Sequence, residues 1–198
     1  FTSGEGGALL INEPELIERA EIIREKGTNR SRFFRGQVDK YTWVDLGSSY
    51  LPSDILAAFL YGQLEQRERI QSHRKALWDT YNLALSDWAG KNGVHLPTVP
   101  IHSEQTFHMF YVLMPNLDLR QKFIQYLRDL GIYSVFHYLP LHLSDMGQRF
   151  GGKAGDCPIT EDVSDRLVRL PFHNGLSSSE QELTIETILG LDSKKYGT

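Results

Sequence analysis

The feature that most constrains this chain is a helical pattern that continues from Ser53 to Trp88. Ser53 is a good N-cap residue after Pro52, and no proline interrupts the pattern before Pro97. Apolar side chains recur along it at helical spacing, at Leu56, Leu60, Leu64, Ile70, Leu77, Tyr81, Leu85 and Trp88. A pattern longer than about 25 residues is typical of a coiled coil, a membrane span or a bridge between domains. Its mixed charge favours a helix that bridges two domains.

Different patterns flank this helix. On the N-terminal side, Ala8–Ile11 predicts a short buried strand, and the stretch 12–27 predicts a helix. On the C-terminal side, the pattern predicts a strand over 107–114, a helix over 118–130 and a strand over 132–138. The sequence therefore predicts α/β structure at the start of the chain and a smaller α+β layer towards its end.

Two further helices are predicted in the last third of the chain. A glycine-rich loop precedes a short helix over 161–168. Ser177 and Glu180 have the spacing of a capping box, which predicts a last helix that ends near Leu191.

Composition excludes several classes of function. The 198 residues carry a formal net charge of -4 and a pI of about 6.0, so the chain lacks the basic field that attracts nucleic acid. No apolar run approaches the ~20 residues that a membrane span needs. The single cysteine, Cys157, cannot form an internal disulfide and fits a reducing compartment. These features predict a soluble cytoplasmic protein with no nucleic-acid partner and no membrane span.

Helical and strand periodicity both lapse between residues 28 and 51. A loop of this length without its own structure is uncommon and usually functional. Its large aromatic residues are Phe33, Phe34, Tyr41 and Trp43, and several basic residues are interleaved with them. This composition favours a segment that covers a ligand or a second subunit over an exposed surface excursion.

The short motifs do not by themselves define a reaction. The SGEGG stretch at 3–7 lacks the ending of a nucleotide-triphosphate loop and precedes a predicted strand, so a tight turn is the better interpretation. His137 and His142 have no third ligand at matching spacing, which argues against a metal site and leaves substrate contacts or structural histidines. Cys157 has no adjacent base, and no G-x-S-x-G motif is present.

Several stretches occur in an order typical of one enzyme family. They are TSGEGG with ERAEIIREKG, GSSYLPSDILAAFLYGQLE, YLPLH and RLVRLPFHNGLSSSE. Together they resemble the DegT/DnrJ/EryC1/StrS nucleotide-sugar aminotransferases over nearly the whole chain. The run GTNRSRFFRGQVDKYTW is more specific, and it resembles the members that make dTDP-4-amino-4,6-dideoxygalactose for enterobacterial common antigen.

This resemblance implies an α/β fold like that of aspartate aminotransferase, which is fold type I of the pyridoxal-phosphate enzymes. It implies the end of the large cofactor-binding domain over 1–65, a bridging helix over 66–92 and a small α+β domain over 93–198. It further implies a homodimer with a shared active site. The reaction would move an amino group, typically from glutamate, to C4 of a dTDP-4-keto-6-deoxyhexose, with pyridoxal 5'-phosphate as the cofactor of the complete enzyme.

The cofactor lysine is the main departure from the family pattern. In these enzymes the Schiff-base lysine stands just before the segment that matches Phe1. The lysines of this chain, none of which matches it, are Lys26, Lys40, Lys75, Lys91, Lys122, Lys153, Lys194 and Lys195. We therefore expect the C-terminal half of an aminotransferase, inactive alone. A dehydratase of the same fold, with histidine in place of that lysine, and a noncatalytic dimerisation or binding fragment remain alternatives.

The resemblance also assigns candidate binding residues. Ser49, where many relatives have an asparagine, is the candidate contact to the cofactor phosphate, while Leu51 stands where the family has an arginine. The candidates for the diphosphate-sugar are Asn29, Arg30, Arg32 and Arg35, because guanidinium groups suit phosphate oxygens. A solvated charged loop is the alternative for each of these four. His137 and His142 are the candidate substrate-side contacts.

Overall fold

The computed structural model describes residues 1–191, which divide into two compact units. The first unit is Phe1–Arg67, and the second begins at Glu68. Lys194 and Lys195 lie outside the described range. Within that range, no helix combines the length and the apolar character needed to cross a membrane.

The helices are α1 (Ile17–Arg24), α2 (Arg30–Phe34), α3 (Asp54–Glu65), α4 (Arg67–Lys91), α5 (Leu117–Asp129), α6 (Asp145–Arg149), α7 (Pro158–Arg166) and α8 (Ser178–Leu189). Short 3₁₀ turns occupy Pro14–Leu16 and Leu141–Leu143. The strands are β1 (Tyr111–Leu113), β2 (Val135–Phe136) and β3 (Leu167–Arg169).

The strand predicted over Ala8–Ile11 is wrong for the described structure. These residues form no strand there, and Leu9 and Leu10 are 76% and 89% exposed. A strand needs a neighbouring chain to receive its hydrogen bonds. An apolar run shows the tendency to be buried, but it carries no information on whether that neighbour is available.

The single long helix predicted from Ser53 to Trp88 is also wrong, because the structure has two helices. The Ser53 hydroxyl accepts the N–H of Leu56 and begins α3 as predicted. Gln66 then interrupts the pattern, and its N–H donates to the Gln63 carbonyl at 3.1 Å, which is a 3₁₀-type closure. No glycine or proline stands at this break, and the apolar residues keep their helical spacing across it. The sequence therefore carries no sign that the helix ends at Gln66.

The second unit contains a three-stranded sheet in the order β1-β3-β2. Both outer strands pair antiparallel with β3, with Val112 and Phe136 each opposite Val168. The predicted strands over 107–114 and 132–138 are correct in position, although the structure keeps only residues 111–113 of the first and 135–136 of the second. The central strand itself was missed, because residues 167–169 directly follow α7 and continue its apolar pattern.

The core of the second unit lies between α4, the sheet, α5 and α8. Its largest fully buried side chains are Tyr81, Phe110, Phe123, Leu85, Leu127, Ile188, Val112 and Val168. The rings of Tyr81 and Phe110 lie 5.1 Å apart, and burial raises the pKa of the Tyr81 phenol to about 12. The Tyr81 hydroxyl donates to the Pro171 carbonyl at 3.1 Å.

The capping box predicted for the last helix is confirmed. The Ser177 hydroxyl accepts the N–H of Glu180 at 3.3 Å, and the Glu180 carboxylate accepts the N–H of Ser177 at 2.8 Å. These two N–H groups at the start of α8 thus have hydrogen-bond partners within the same turn.

Candidate functional site

The candidate site of the first unit lies where the segment after α2 returns to the end of α1. The N–H of Ser48 donates to the Ile23 carbonyl at 2.9 Å, and the N–H of Lys26 donates to the Ser48 carbonyl at 3.0 Å. These bonds set Ser49 opposite Glu25 as an antiparallel bridge. The segment that lacked any periodicity is therefore fixed to α1 through its backbone.

Two glycines allow this close approach. Gly27 has a φ of +76°, and a Cβ there would lie 1.7 Å from the carbonyl oxygen of Asp45. A Cβ on Gly47 would lie 2.2 Å from the backbone nitrogen of Gly27. Only glycine fits at these two positions. Sequence reasoning treated Gly27 as a helix stop alone and missed Gly47.

Two of the four predicted phosphate-binding residues form ion pairs with α1. Arg32 Nη2 lies 2.6 Å from Glu18 Oε1, and both Nη atoms of Arg35 lie 2.8 Å from the carboxylate oxygens of Glu21. The hydrogen bond from Arg35 lowers the pKa of Glu21, and the same bond raises the pKa of Arg35. The sequence signal for these two ion pairs was the spacing of three residues between the glutamates of α1 and between the two arginines, of which Arg35 directly follows α2.

Arg30 and Asn29 have different surroundings. The Arg30 guanidinium lies 5.0 Å from the Phe34 ring centre and 6.0 Å from that of Tyr41, and no carboxylate of residues 1–191 pairs with it. Asn29 holds the returning segment, since its Oδ1 accepts the N–H of Thr42 at 2.8 Å. Arg30 is thus the predicted cation whose charge is not neutralised by this part of the chain.

Ser49 presents an exposed hydroxyl beside a partly unsatisfied acid. No group within residues 1–191 forms a hydrogen bond with the Ser49 side chain. Across the bridge, Glu25 Oε1 lies 3.1 Å from the Ser31 hydroxyl, whereas its Oε2 is buried without a partner in the described range. The serine can therefore donate a hydrogen bond to a ligand oxygen at this position.

A pocket of about 740 Å³ lies in the first unit between the N-terminal segment and α3. Its walls are residues 1–8, residues 50–53 and the apolar side chains of α3. The N–H of Thr2 donates to Gln63 Oε1 at 3.1 Å and holds the segment there. The glycine-rich stretch bends locally, with the Ser3 hydroxyl donating to the Glu5 carbonyl at 2.7 Å.

In the second unit, His142 belongs to a clamp on the glycine-rich loop. Its Nε2 lies 2.9 Å from Glu161 Oε1, and the same carboxylate accepts the N–H groups of Gly155 and Cys157. The hydrogen bond from His142 is the largest cause that lowers the pKa of Glu161. This contact orders residues around the start of α7.

His137 forms none of the hydrogen bonds of that clamp. Its Nδ1 is buried and has no hydrogen-bond partner within residues 1–191, and its ring centre lies 5.6 Å from that of Tyr138. The described residues bring no three histidine, cysteine, aspartate or glutamate side chains together as a metal-ion site.

The fold of this chain matches about half of a solved putative sugar aminotransferase. The solved PLP-form of Spr1654 from Streptococcus pneumoniae superposes with a TM-score of 0.78 at 24% identity, over 97% of this chain and 47% of that one. The predicted fold class, an α/β fold like that of aspartate aminotransferase, is confirmed. Residues 1–189 match the model of the DegT/DnrJ/EryC1/StrS aminotransferase family, and the chain belongs to that family.

Two curated relatives illustrate the extent of the match. An uncharacterized protein of Methanocaldococcus jannaschii is 29% identical over 188 residues, which cover 91% of this chain and 48% of that protein. The dTDP-4-dehydro-2,3,6-trideoxy-D-glucose 4-aminotransferase of Saccharopolyspora spinosa is 27% identical over 187 residues, covering 91% and 46%. The chain thus spans about half the length of the curated relatives it matches.

Proposed function

We propose that this chain forms the C-terminal half of a pyridoxal-phosphate-dependent nucleotide-sugar aminotransferase. The family match over residues 1–189 carries the proposal. The matched stretch covers 48% and 46% of the two curated relatives described above. This coverage supports the proposal that the chain is one half of such an enzyme. In this proposal the domain limits predicted above hold, with 1–65 ending the large domain and 93–198 forming the small one.

The proposed substrate is a dTDP-4-keto-6-deoxyhexose, with glutamate as the amino donor. The product would be dTDP-4-amino-4,6-dideoxygalactose, a precursor of enterobacterial common antigen and similar surface polysaccharides. The sequence from Gly27 to Trp43 supports this choice through the likeness described above. The Saccharopolyspora spinosa relative is named as an aminotransferase acting at C4 of a dTDP-linked sugar, which agrees with it.

The residues present fit one part of a cofactor site. Pyridoxal phosphate supplies the carbonyl that exchanges the amino group and the ring that accepts electrons. The exposed Ser49 hydroxyl, which has no hydrogen-bond partner within residues 1–191, would donate a hydrogen bond to its phosphate, and the backbone bridge to Glu25 would hold that hydroxyl in place. The proposal assigns the cofactor lysine to sequence other than these 198 residues.

The proposal includes a homodimer with a shared active site. Large apolar side chains of the first unit are exposed on α3 and in the segment around Trp43, and such surfaces normally contact other protein. The rest of the protein and a second subunit would cover them. His137 and His142 would lie on the substrate side of that site. The exposed thiol of Cys157 fits a cytoplasmic location, where reducing conditions keep it free.

The test compares this chain with the protein that contains all of its gene's coding sequence. We expect the complete protein, supplied with pyridoxal phosphate and glutamate, to convert a dTDP-4-keto-6-deoxyhexose into an amino sugar that mass spectrometry detects. We expect the 198 residues alone to be inactive, and reductive trapping to label no single lysine stoichiometrically. One fully labelled lysine in the short chain would contradict the proposal. Loss of a hydroxyl without amination would favour the dehydratase.

A further inference from the structure

Arg30 differs from the other arginines between residues 17 and 35 in having no carboxylate partner within residues 1–191. The paired arginines are Arg19 with Asp45, Arg24 with Glu25, Arg32 with Glu18 and Arg35 with Glu21. A phosphate that bound Arg32 or Arg35 would have to displace a carboxylate at hydrogen-bond distance. Arg30 can bind an anion without that cost.

Exposed aromatic rings surround the Arg30 guanidinium. Phe34 is 68% exposed and Tyr41 is 49% exposed, although aromatic rings of this size are usually buried. Phe33 lies edge-on to both, with ring centres 5.7 Å from Phe34 and 5.6 Å from Tyr41. The result is an exposed aromatic cluster with one positive charge on it that no carboxylate of residues 1–191 pairs with.

The two sides of this surface are fixed relative to each other. Arg30 and Phe34 are four residues apart on α2, which the Glu18–Arg32 and Glu21–Arg35 pairs hold against α1. Tyr41 lies on the returning segment, which the hydrogen bonds between Asn29 and Thr42 join to the start of α2. The surface is therefore formed before any ligand arrives.

We propose that Arg30, Phe34 and Tyr41 form the subsite for the nucleoside diphosphate part of the substrate. The pyrimidine ring stacks on the exposed aromatic rings, and Arg30 donates hydrogen bonds to the adjoining diphosphate. A nucleoside diphosphate joins a planar ring to negative oxygens, which matches both features of the surface at once. Arg32 and Arg35 then have a positioning role only. This inference rests on the proposed function, since it assigns part of the same substrate.

The experiment is a ligand-observed NMR titration of the 198-residue chain with dTDP, thymidine and inorganic pyrophosphate. We expect dTDP to bind, and thymidine and pyrophosphate each to bind at least about tenfold more weakly. Arg30→Gln should weaken dTDP binding by about tenfold and leave thymidine unchanged, because it removes one charged hydrogen-bond donor. Phe34→Leu should weaken dTDP and thymidine by about fivefold and leave pyrophosphate unchanged.

Two control variants test the division of roles. Arg19→Lys keeps a positive charge for Asp45 and should bind dTDP like the unmodified chain. Arg128→Gln changes an exposed arginine of α5 that has no carboxylate partner in the described range, and it should also have no effect. Far-UV circular dichroism of each variant verifies that the fold is retained.

Several results would overturn the inference. These are absence of dTDP binding to the unmodified chain, equal binding by Arg30→Gln, or a loss in Arg19→Lys as large as in Arg30→Gln. If Phe34→Leu separates a dimer without changing dTDP affinity, the surface is a subunit contact instead. Transamination by the complete protein that is insensitive to Arg30→Gln would overturn this inference alone. Arg30-dependent dTDP binding in a complete protein that transfers no amino group would overturn the proposed function alone.

Discussion

The two units of this chain bury their apolar side chains to very different extents. Among residues 1–191, every buried hydrophobic residue lies in the second unit, between Leu77 and Ile188. In the first unit, residues 1–67, only Gly27 is buried. Both units nevertheless have well-defined helices and loops. Order and burial are thus separate properties in this molecule.

The difference shows what holds each unit together. The second unit has an interior of interlocked aromatic and aliphatic side chains, which supplies most of a domain's stability. The first unit is held by backbone hydrogen bonds at Gly27 and by exposed ion pairs such as Glu21–Arg35, each of which contributes little in water. The candidate site residues of the first unit therefore lie on the less stable part of the chain.

The largest expected effect contrasts one aromatic residue from each unit. Phe110 is fully buried against Trp78 and Tyr81, so Phe110→Ala should lower the free energy of unfolding by about 3–5 kcal/mol. Phe59 on α3 is 59% exposed, and Phe59→Ala should change it by less than about 0.5 kcal/mol. Urea denaturation followed by tryptophan fluorescence measures both. Equal losses in the two variants would mean that the first unit has a core of its own.

The next effect contrasts two glycines of the first unit that both have a positive φ. A methyl group on Gly36 would point into open space, so Gly36→Ala should cost only the left-handed backbone penalty of about 1–2 kcal/mol. Gly27→Ala adds a clash with the Asp45 carbonyl and should detach the returning segment from α1. Amide exchange of residues 42–50 should accelerate in Gly27→Ala far more than in Gly36→Ala. Similar exchange in both would show that the approach at Gly27 is not needed.

The sequence predicted those parts of the molecule whose signals are local. The capping box at Ser177 and the N-cap at Ser53 depend on neighbouring residues, and both are present. The predictions of a strand at Ala8–Ile11 and of a continuous helix through Gln66 were wrong. Whether these elements form depends on tertiary contacts that a periodic pattern does not encode. For the candidate site, the sequence identified Arg30, Arg32 and Arg35 as a group. It could not separate them, because ion pairing with α1 is a tertiary property.

A smaller effect concerns the end of the second unit. Ser177→Ala removes the hydroxyl that accepts the N–H of Glu180, and it should lower stability by about 1 kcal/mol, seen as a lower Tm of the second unit. Ser53→Ala removes the corresponding cap of α3. It should leave that Tm unchanged, because α3 belongs to the first unit. A fall in the same Tm from Ser53→Ala would contradict the separate stabilities of the units.

The smallest effect is a pH dependence confined to the first unit. The pKa of Glu21 is lowered by its bond to Arg35, so this pair contributes stability above the unfolded-state pKa of about 4.5. That contribution is lost as the pH falls through the lower, folded-state pKa. NMR of α2 amides should show loosening below about pH 4.5, and Glu21→Gln should show it already at neutral pH. If the α2 amides of the unmodified chain and of Glu21→Gln show the same dependence on pH, this role of Glu21 is contradicted.

Hydrogen exchange measured by mass spectrometry tests the contrast between the units most directly. The 198-residue chain and the complete protein are compared peptide by peptide at neutral pH. We expect α3 to exchange quickly in the short chain and to become protected in the complete protein, because the proposed function has other parts of the protein cover its exposed apolar side chains. We expect the peptides of α4, β1, β3 and α8 to be protected equally in both. Strong protection of α3 in the short chain alone would contradict the account.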